Sequence, residues 1–288
     1  MFTGTFFGRE KIPLAVFLRI AIFFFVLLLC LVQPTRANVV GNLEGELVVA
    51  NGFATYRLPL QVPEGLHGFR PGVAIQYHQT AGPSTLGVGF ALSAGSAISR
   101  CSPNVKDDGF FAGIEFNALA RFCHDGARLA VVSGSYGSVG ATYRKRVDDD
   151  NTLYVSNGGS AFYPESWTVQ LPSGVQLTFA KVAITTDLHT PWLLTKREDE
   201  HGNEALYRYD TSGDVPLLES ITYSAHAILF VYEASSIVVE QYKQGTRKVL
   251  NRRLAAVEVS RNATFAYAYE FSYASPDTPA PVERLASI

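Results

Sequence analysis

The chain has 288 residues, of which 47% are hydrophobic and 17% charged, with a formal net charge of −2. That composition supports one large folded domain or two small ones and excludes a disordered polyampholyte. The near-zero charge, with no basic block, excludes a nucleic-acid interface built on a positive face.

The first segment reads as an export signal. Arg9 and Lys11 precede an apolar stretch that Arg19 interrupts, and Ile20 to Val32 then carry no charge. Thr35-Arg36-Ala37 ends the stretch with small residues placed for cleavage between Ala37 and Asn38. This order predicts a signal peptide over residues 1–37 and a mature domain over 38–288. The alternative is an uncleaved membrane anchor, since Ile12 to Val32 can just reach across if Arg19 snorkels. In both cases the rest of the chain is secreted or extracellular, and the membrane is met only through this segment. Cys30 would leave with the signal. Cys101 and Cys123 remain, an even number in an oxidising compartment. A bridge between them would stabilise by roughly 3 kcal/mol through loop entropy; the alternative is two buried free thiols.

Beyond Ala37 the pattern alternates with period two, and no segment sustains a helical period. Tyr56, Leu58, Leu60 and Val62 share one face, and Val73, Ile75 and Tyr77 repeat it. Trp167, Val169 and Leu171 lead into Pro172-Ser173-Gly174, and Val175, Leu177 and Phe179 lead away, which predicts a hairpin. Ile228, Phe230 and Tyr232 follow. Phe265, Tyr267, Tyr269, Phe271 and Tyr273 form an unbroken aromatic face that demands burial against another sheet or a partner. Polar and Gly-rich groups mark the loops, at Gly82-Pro83-Ser84, Ser133 to Gly137, Asp148 to Asn151, Asn157 to Ser160 and Ser275-Pro276-Asp277. Pro103 to Leu119 is the least regular stretch and is expected as a mobile insertion. No linker divides the mature chain.

Two segments carry a family likeness. Leu86-Gly87-Val88-Gly89-Phe90-Ala91-Leu92 runs on to Ile98-Ser99-Arg100-Cys101, and Arg121-Phe122-Cys123-His124-Asp125-Gly126-Ala127-Arg128-Leu129 follows. Upstream stand Gly52 to Pro63 and Arg70-Pro71-Gly72. Together they resemble the N-terminal family shared by the SpvB virulence protein and the B components of bacterial toxin complexes, from about Asn51 to the last residue. Phe90 stands where that family usually has Trp, and Thr80-Ala81-Gly82-Pro83 departs from its usual Gly/Asn-rich loop. The resemblance implies an all-β fold of antiparallel sheets that begins a protein shell or scaffold and holds no catalytic part. The family's ADP-ribosyltransferase domain, where present, is separate. Its Arg, Ser-Thr-Ser and Glu-x-Glu series has no match here, and Glu44-Gly45-Glu46 stands alone before the domain.

The last third carries a faint repeat. Leu218-Glu219-Ser220-Ile221, Leu254-Ala255-Ala256-Val257 and Leu285-Ala286-Ser287-Ile288 share Leu-x-x-Ile/Val. Gly202-Asn203 before Tyr207-Arg208-Tyr209-Asp210 resembles the core of RHS/YD repeats. RHS-like units are therefore expected from about 192 to 288, each a strand pair that buries its face only by stacking on a neighbour. Because the chain stops within such a unit, a truncated or split shell is expected, completed by other RHS or toxin-complex chains.

Chemistry-bearing constellations are sparse. His67, His78, His124, His189, His201 and His226 show no metal-ligand spacing. Asp148-Asp149-Asp150 with Asn151 lacks the glycine and distal glutamate of a calcium loop and reads as solvated. Gly87-Val88-Gly89 lacks the third glycine of a phosphate cradle and reads as a tight bend. Asp125-Gly126 reads as a turn corner. Asn262-Ala263-Thr264 is only a formal glycosylation acceptor, and Ser133 to Gly137 is no nucleophile elbow. No cofactor is expected. The leading expectation is a non-enzymatic exported scaffold for toxin encapsulation or delivery. The rivals are a β binding module for glycan or host protein, a non-functional remnant, and a secreted hydrolase.

Overall fold

The computed structural model describes residues 43–50, 52–114, 116–147, 151–182, 190–243, 246–274 and 283–288. The expected signal peptide with its Ala37–Asn38 cleavage point, Cys30, Asp148 to Asp150, His189 and Ser275-Pro276-Asp277 lie outside the described residues.

Strands dominate, as the alternation requires. The first seven are β1 (Glu46–Ala50), β2 (Phe53–Pro59), β3 (Ala74–His78), β4 (Pro83–Ser84), β5 (Gly87–Val88), β6 (Phe90–Ser93) and β7 (Ala97–Cys101). One helical turn, α1 (Val105–Asp108), precedes β8 (Arg121–His124), β9 (Ala127–Ser133), β10 (Thr142–Lys145), β11 (Leu153–Asn157), β12 (Ser166–Gln170) and β13 (Gln176–Ala180). Then come β14 (Trp192–Glu198), β15 (Glu204–Asp210), β16 (Leu217–Tyr223), β17 (His226–Lys243), β18 (Thr246–Arg261), β19 (Thr264–Glu270), β20 (Ser272–Ala274) and β21 (Arg284–Ser287). Among the described residues no helix is long and apolar enough to cross a membrane.

Strands β7 to β14 close into an antiparallel barrel, because β13 pairs with β14 and β14 pairs back onto β7. Eight strands leave a lumen that side chains can fill. Here Ile98, Phe122, Leu129, Tyr143, Tyr154, Trp167, Phe179 and Trp192 fill it, and all are fully buried. Their rings meet edge-on, with Phe122 centred 4.9 Å from Trp167 and 5.8 Å from Trp192. Edge-to-face contacts add about 0.5–1.5 kcal/mol each beyond burial. The Trp167/Val169 and Leu177/Phe179 hairpin forms one barrel wall, Trp167 pairing with Phe179 and Val169 with Leu177.

β14 is the junction. One edge runs along β13; the other pairs with β7 at Trp192–Leu193 and with β15 at Lys196–Glu198. The barrel therefore closes at its start, and an open sheet, β14-β15-β16-β17-β18-β19, leaves from its end. A row of Tyr207, Ile221, Ile228, Val259 and Tyr267 crosses the inner face of that sheet in register. A small sheet, β1-β2-β3-β6, packs its Leu58, Leu60, Val62, Val73 and Ile75 into the same core.

The aromatic run differs from its expected form. Phe271 falls between β19 and β20, and the chain there leaves the open sheet for the sheet β20-β21-β5-β4. The face is thus broken in two, and Phe265 stays on the outer side, exposed. Tyr267 and Tyr269 turn inward, and both hydroxyls donate to the Gln61 carbonyl, at 2.8 and 3.0 Å. Tyr223 does the same to the Pro63 carbonyl at 2.8 Å. These tyrosines seal the small sheet onto the open one.

Candidate functional site

The family-motif residues gather at three joints. The first is the bend of Leu86, Gly87, Gly89 and Phe90. Leu86 is fully buried. Gly87 and Gly89 have φ of 88° and 83°, the left-handed region open to glycine. A Cβ on Gly87 would lie 2.5 Å from the Glu283 carbonyl oxygen, so its absence lets β21 lie against β5. A Cβ on Gly89 would meet the Tyr77 ring at 2.7 Å, and that ring packs on Phe90 at 5.0 Å.

The second joint is the barrel mouth. Arg100 points into the lumen and is buried; its guanidinium lies 5.0 Å from the Phe116 and Trp192 ring centres and 5.3 Å from Tyr163. It donates to the Phe162 carbonyl at 2.7 Å. Burial pulls the group below its ordinary value, offset in part by Tyr163, yet an arginine stays charged in water. The cation closes the barrel end by drawing two connections, β7–β8 and β11–β12, onto one charge.

The third joint is ionic. The Arg121 Nε donates to Asp108 at 2.6 Å, and Arg128 reaches the other carboxylate oxygen at 3.2 Å. Arg128 also donates to the Ser102 carbonyl at 2.6 Å. Burial pushes the Asp108 carboxyl up, but the Asn104 N–H and both guanidiniums outweigh it and hold it below its ordinary value. The first part of the Pro103 to Leu119 stretch is held down, against the mobile insertion expected there. Asn104 caps α1 by accepting from the Asp107 N–H at 2.9 Å, and two arginines pin α1 to the barrel.

Asp125 and Gly126 form the two-residue turn between β8 and β9, with φ of 47° and 84°. Asp125 Oδ1 accepts from the Ala97 N–H at 2.9 Å, so the turn also fixes the start of β7. Phe122 and Leu129 enter the lumen on either side of this turn. Cys101 and Cys123 are joined by a disulfide, Cα–Cα 6.0 Å, on the face of β7 and β8 opposite Arg100 and Phe122.

A cleft of about 360 Å³ lies between β4–β5 and a bulge in β17. Ala234 pairs with Arg252 and Val239 with Leu250, so residues 235–238 stand opposite Asn251 alone. The Ser235 hydroxyl accepts from the Ile237 N–H at 3.0 Å and lies 2.9 Å from the Glu283 carboxylate. Arg253 binds the same carboxylate at 2.8 Å. The acid is spent on its neighbours, and the walls of Val88, Ile237 and Leu250 are apolar. Among the described residues no group of three His, Cys, Asp or Glu side chains could hold a metal ion.

Sequence reasoning missed Asp108, the acid shared by Arg121 and Arg128, because it lies in the one irregular stretch. It also missed the Arg253–Glu283 pair, whose members stand 30 residues apart.

The model of the SpvB family, described as the Salmonella virulence plasmid 65kDa B protein, matches residues 48–224. The chain belongs to the SpvB family. No curated protein sequence matches it. Among solved structures, the N-terminal domain of the effector protein SpvB from Salmonella typhimurium strain LT2 is similar over 80% of this chain and 96% of that one, at 15% identity and a TM-score of 0.62. The TcdB2-TccC3 crystal structure is similar over 85% of this chain at 16% identity and a TM-score of 0.67. The Photorhabdus luminescens Tc holotoxin pore is similar over 85% at 14% identity and a TM-score of 0.66. This chain spans only 16% and 15% of those two toxin chains. The all-β fold described above is thus shared with that N-terminal domain and with part of the toxin chains.

Proposed function

We propose that this chain is an exported, non-enzymatic scaffold that opens a toxin-complex or RHS-type shell and works with other chains of that kind in toxin encapsulation or delivery. The observation that carries the reading is the junction at β14. A closed barrel packed with aromatic side chains feeds an open sheet whose last strand, β19, has β18 as its one neighbour among the described residues. A sheet edge of that kind invites continuation by further strands. On this reading the Leu-x-x-Ile/Val segments in β16, β18 and β21 are RHS/YD-like units from about 192 onward, and residues 1–37 direct export. The clefts and joints carry packing chemistry, which fits a scaffold better than an enzyme. Tyr267 and Tyr269 are half-buried with their hydroxyls spent on Gln61, and only Phe265 of this run stays exposed, which leaves less aromatic surface for a glycan-binding role than the unbroken face expected.

The test is purification of the chain from the exported fraction of cells expressing it with the RHS-repeat proteins encoded beside it. Co-elution with such a protein as a hollow particle under electron microscopy is the expected result. A chain that elutes alone under those conditions, or that shows hydrolytic activity abolished by one acidic substitution, would overturn the reading.

A further inference from the structure

The small sheet ends in β1, its outer strand, which among the described residues pairs with β2 alone. Leu47 is 63% exposed, Val48 45%, Val49 68% and Phe53 45%. Apolar residues thus face water on both sides of β1. The strand has no Pro or Lys to block pairing, the features by which lone edges are usually protected.

The backbone parity of this edge follows from its hairpin. Ala50 pairs with Phe53 across residues 51 and 52, so Ala50, Val48 and Glu46 exchange hydrogen bonds with β2. Leu47 and Val49 must then point their N–H and C=O groups outward. β2 confirms the count: Ala54, opposite Val49, turns its own groups away from β1, donating to Gln79 Oε1 at 3.2 Å and accepting from the Gln79 N–H at 3.1 Å.

We propose that β1 pairs antiparallel with β1 of a second copy of this chain, about a twofold axis at Val48. In that register Leu47 faces Val49 of the second copy and Val49 faces its Leu47. The outward groups of these residues meet in four hydrogen bonds. Val48 meets Val48 as a close, non-hydrogen-bonded pair. Glu46 falls opposite Ala50 and Glu44 opposite Gly52, so no like charges meet. A strand of this length offers no other antiparallel register that pairs all four outward groups with themselves. The interface doubles the four-stranded sheet and buries apolar side chains on both of its faces. It does not depend on the shell reading, since β1 belongs to a different sheet from the β14 junction and the β19 edge.

Light scattering on the full chain through a dilution series should show a dimer that dissociates as concentration falls. Val48→Cys, in a Cys30→Ala background, should cross-link two copies under mild oxidation, because the pair sits on the axis within disulfide reach. Leu47→Cys, displaced two positions from its own copy, should not. Val49→Pro removes only an outward N–H and should give a monomer with unchanged far-ultraviolet circular dichroism. Val49→Lys should do the same by setting a charge in the apolar seam. A monomer at every concentration would overturn the proposal and leave the edge to another chain. So would a dimer that survives both Val49 variants, or one that Val48→Cys fails to cross-link.

Discussion

Gly87→Ala isolates what the first motif joint contributes. Two costs arise. The first is conformational: at φ of 88° an alanine Cβ crowds the following carbonyl, at about 1–2 kcal/mol. The second is a collision with backbone. The new Cβ would lie 2.5 Å from the Glu283 oxygen, 3.0 Å from its carbonyl carbon and 3.2 Å from the Arg284 Cα, none of which can swing aside as a side chain could. β21 must then lift off β5, and the Val88 N–H to Glu283 carbonyl bond, now 3.1 Å, is lost, at about 1 kcal/mol. The sum is about 2–3 kcal/mol. Gly126→Ala is the matched control, since Gly126 has φ of 84° and nothing within 4 Å of a built Cβ. It should lose only the conformational part, about 1–2 kcal/mol. Urea unfolding of both variants measures the difference, and amide exchange at Val88 reports the local release of β21. Equal losses in the two variants, with Val88 exchange unchanged in Gly87→Ala, would refute the close-approach account.

Four further outcomes are expected. Removing the bridge by Cys101→Ser with Cys123→Ser should cost roughly 3 kcal/mol in urea unfolding, and non-reduced peptide mass spectrometry should find Cys101 linked to Cys123. Arg100→Lys keeps the charge but loses the planar contact with Phe116, Tyr163 and Trp192, and should lower stability by about 1–3 kcal/mol in the same assay; Arg100→Met should be no better. Asp108 titrates below its ordinary value in the fold, so its contribution is complete above the unfolded value near about 4 and fades as pH falls through the lower folded value. Acid unfolding should therefore be less steep in Asp108→Asn than in the parent chain below that pH. At the other extreme, burial raises Tyr207, Tyr223 and Tyr267 to about 12. The unfolded chain releases these protons first, so stability should fall as pH rises from 10 toward 12, and a further rise in phenolate absorbance, from these three rings, should accompany unfolding.

Period-two patterning made the strands legible because each half-buried strand writes its burial into the sequence. The Trp167–Phe179 hairpin is the clearest case, with both its turn and its register readable. Closure of the barrel was not legible. It depends on Trp192 and Leu193 meeting Ile98 and Ala97, a pairing across nearly a hundred positions that no local pattern encodes. The tyrosine run shows the same limit. Its hydrophobic face was plain in the sequence, but the break at Phe271 was not. An aromatic face says that something will cover it; only tertiary contact, here Gln61 for Tyr267 and Tyr269, says what. The motif residues were visible as a set, and their partners were not. Gly87 needs Glu283, and Arg121 and Arg128 need Asp108, each contributed by a loop or strand end without periodic pattern.

Those partners also explain why the family-motif residues report on fold rather than on reactivity. Gly87 admits a neighbouring backbone, Arg100 anchors two connections, and Arg121 with Arg128 pins the helical turn of one of them; Asp125 aligns the start of β7. The three arginines each meet a carboxylate, a ring or a carbonyl within the chain, and Asp125 accepts from the Ala97 N–H. A catalytic centre concentrates groups whose ionisation is shifted toward use near neutrality. Here the named shifts run the other way: Asp108 is held more firmly ionised, and the tyrosines more firmly neutral. Substitution at any of the three joints should therefore change unfolding midpoints before it changes any binding or assembly readout. An assembly defect in Arg121→Ala at full retained stability would show that the joint faces a partner after all.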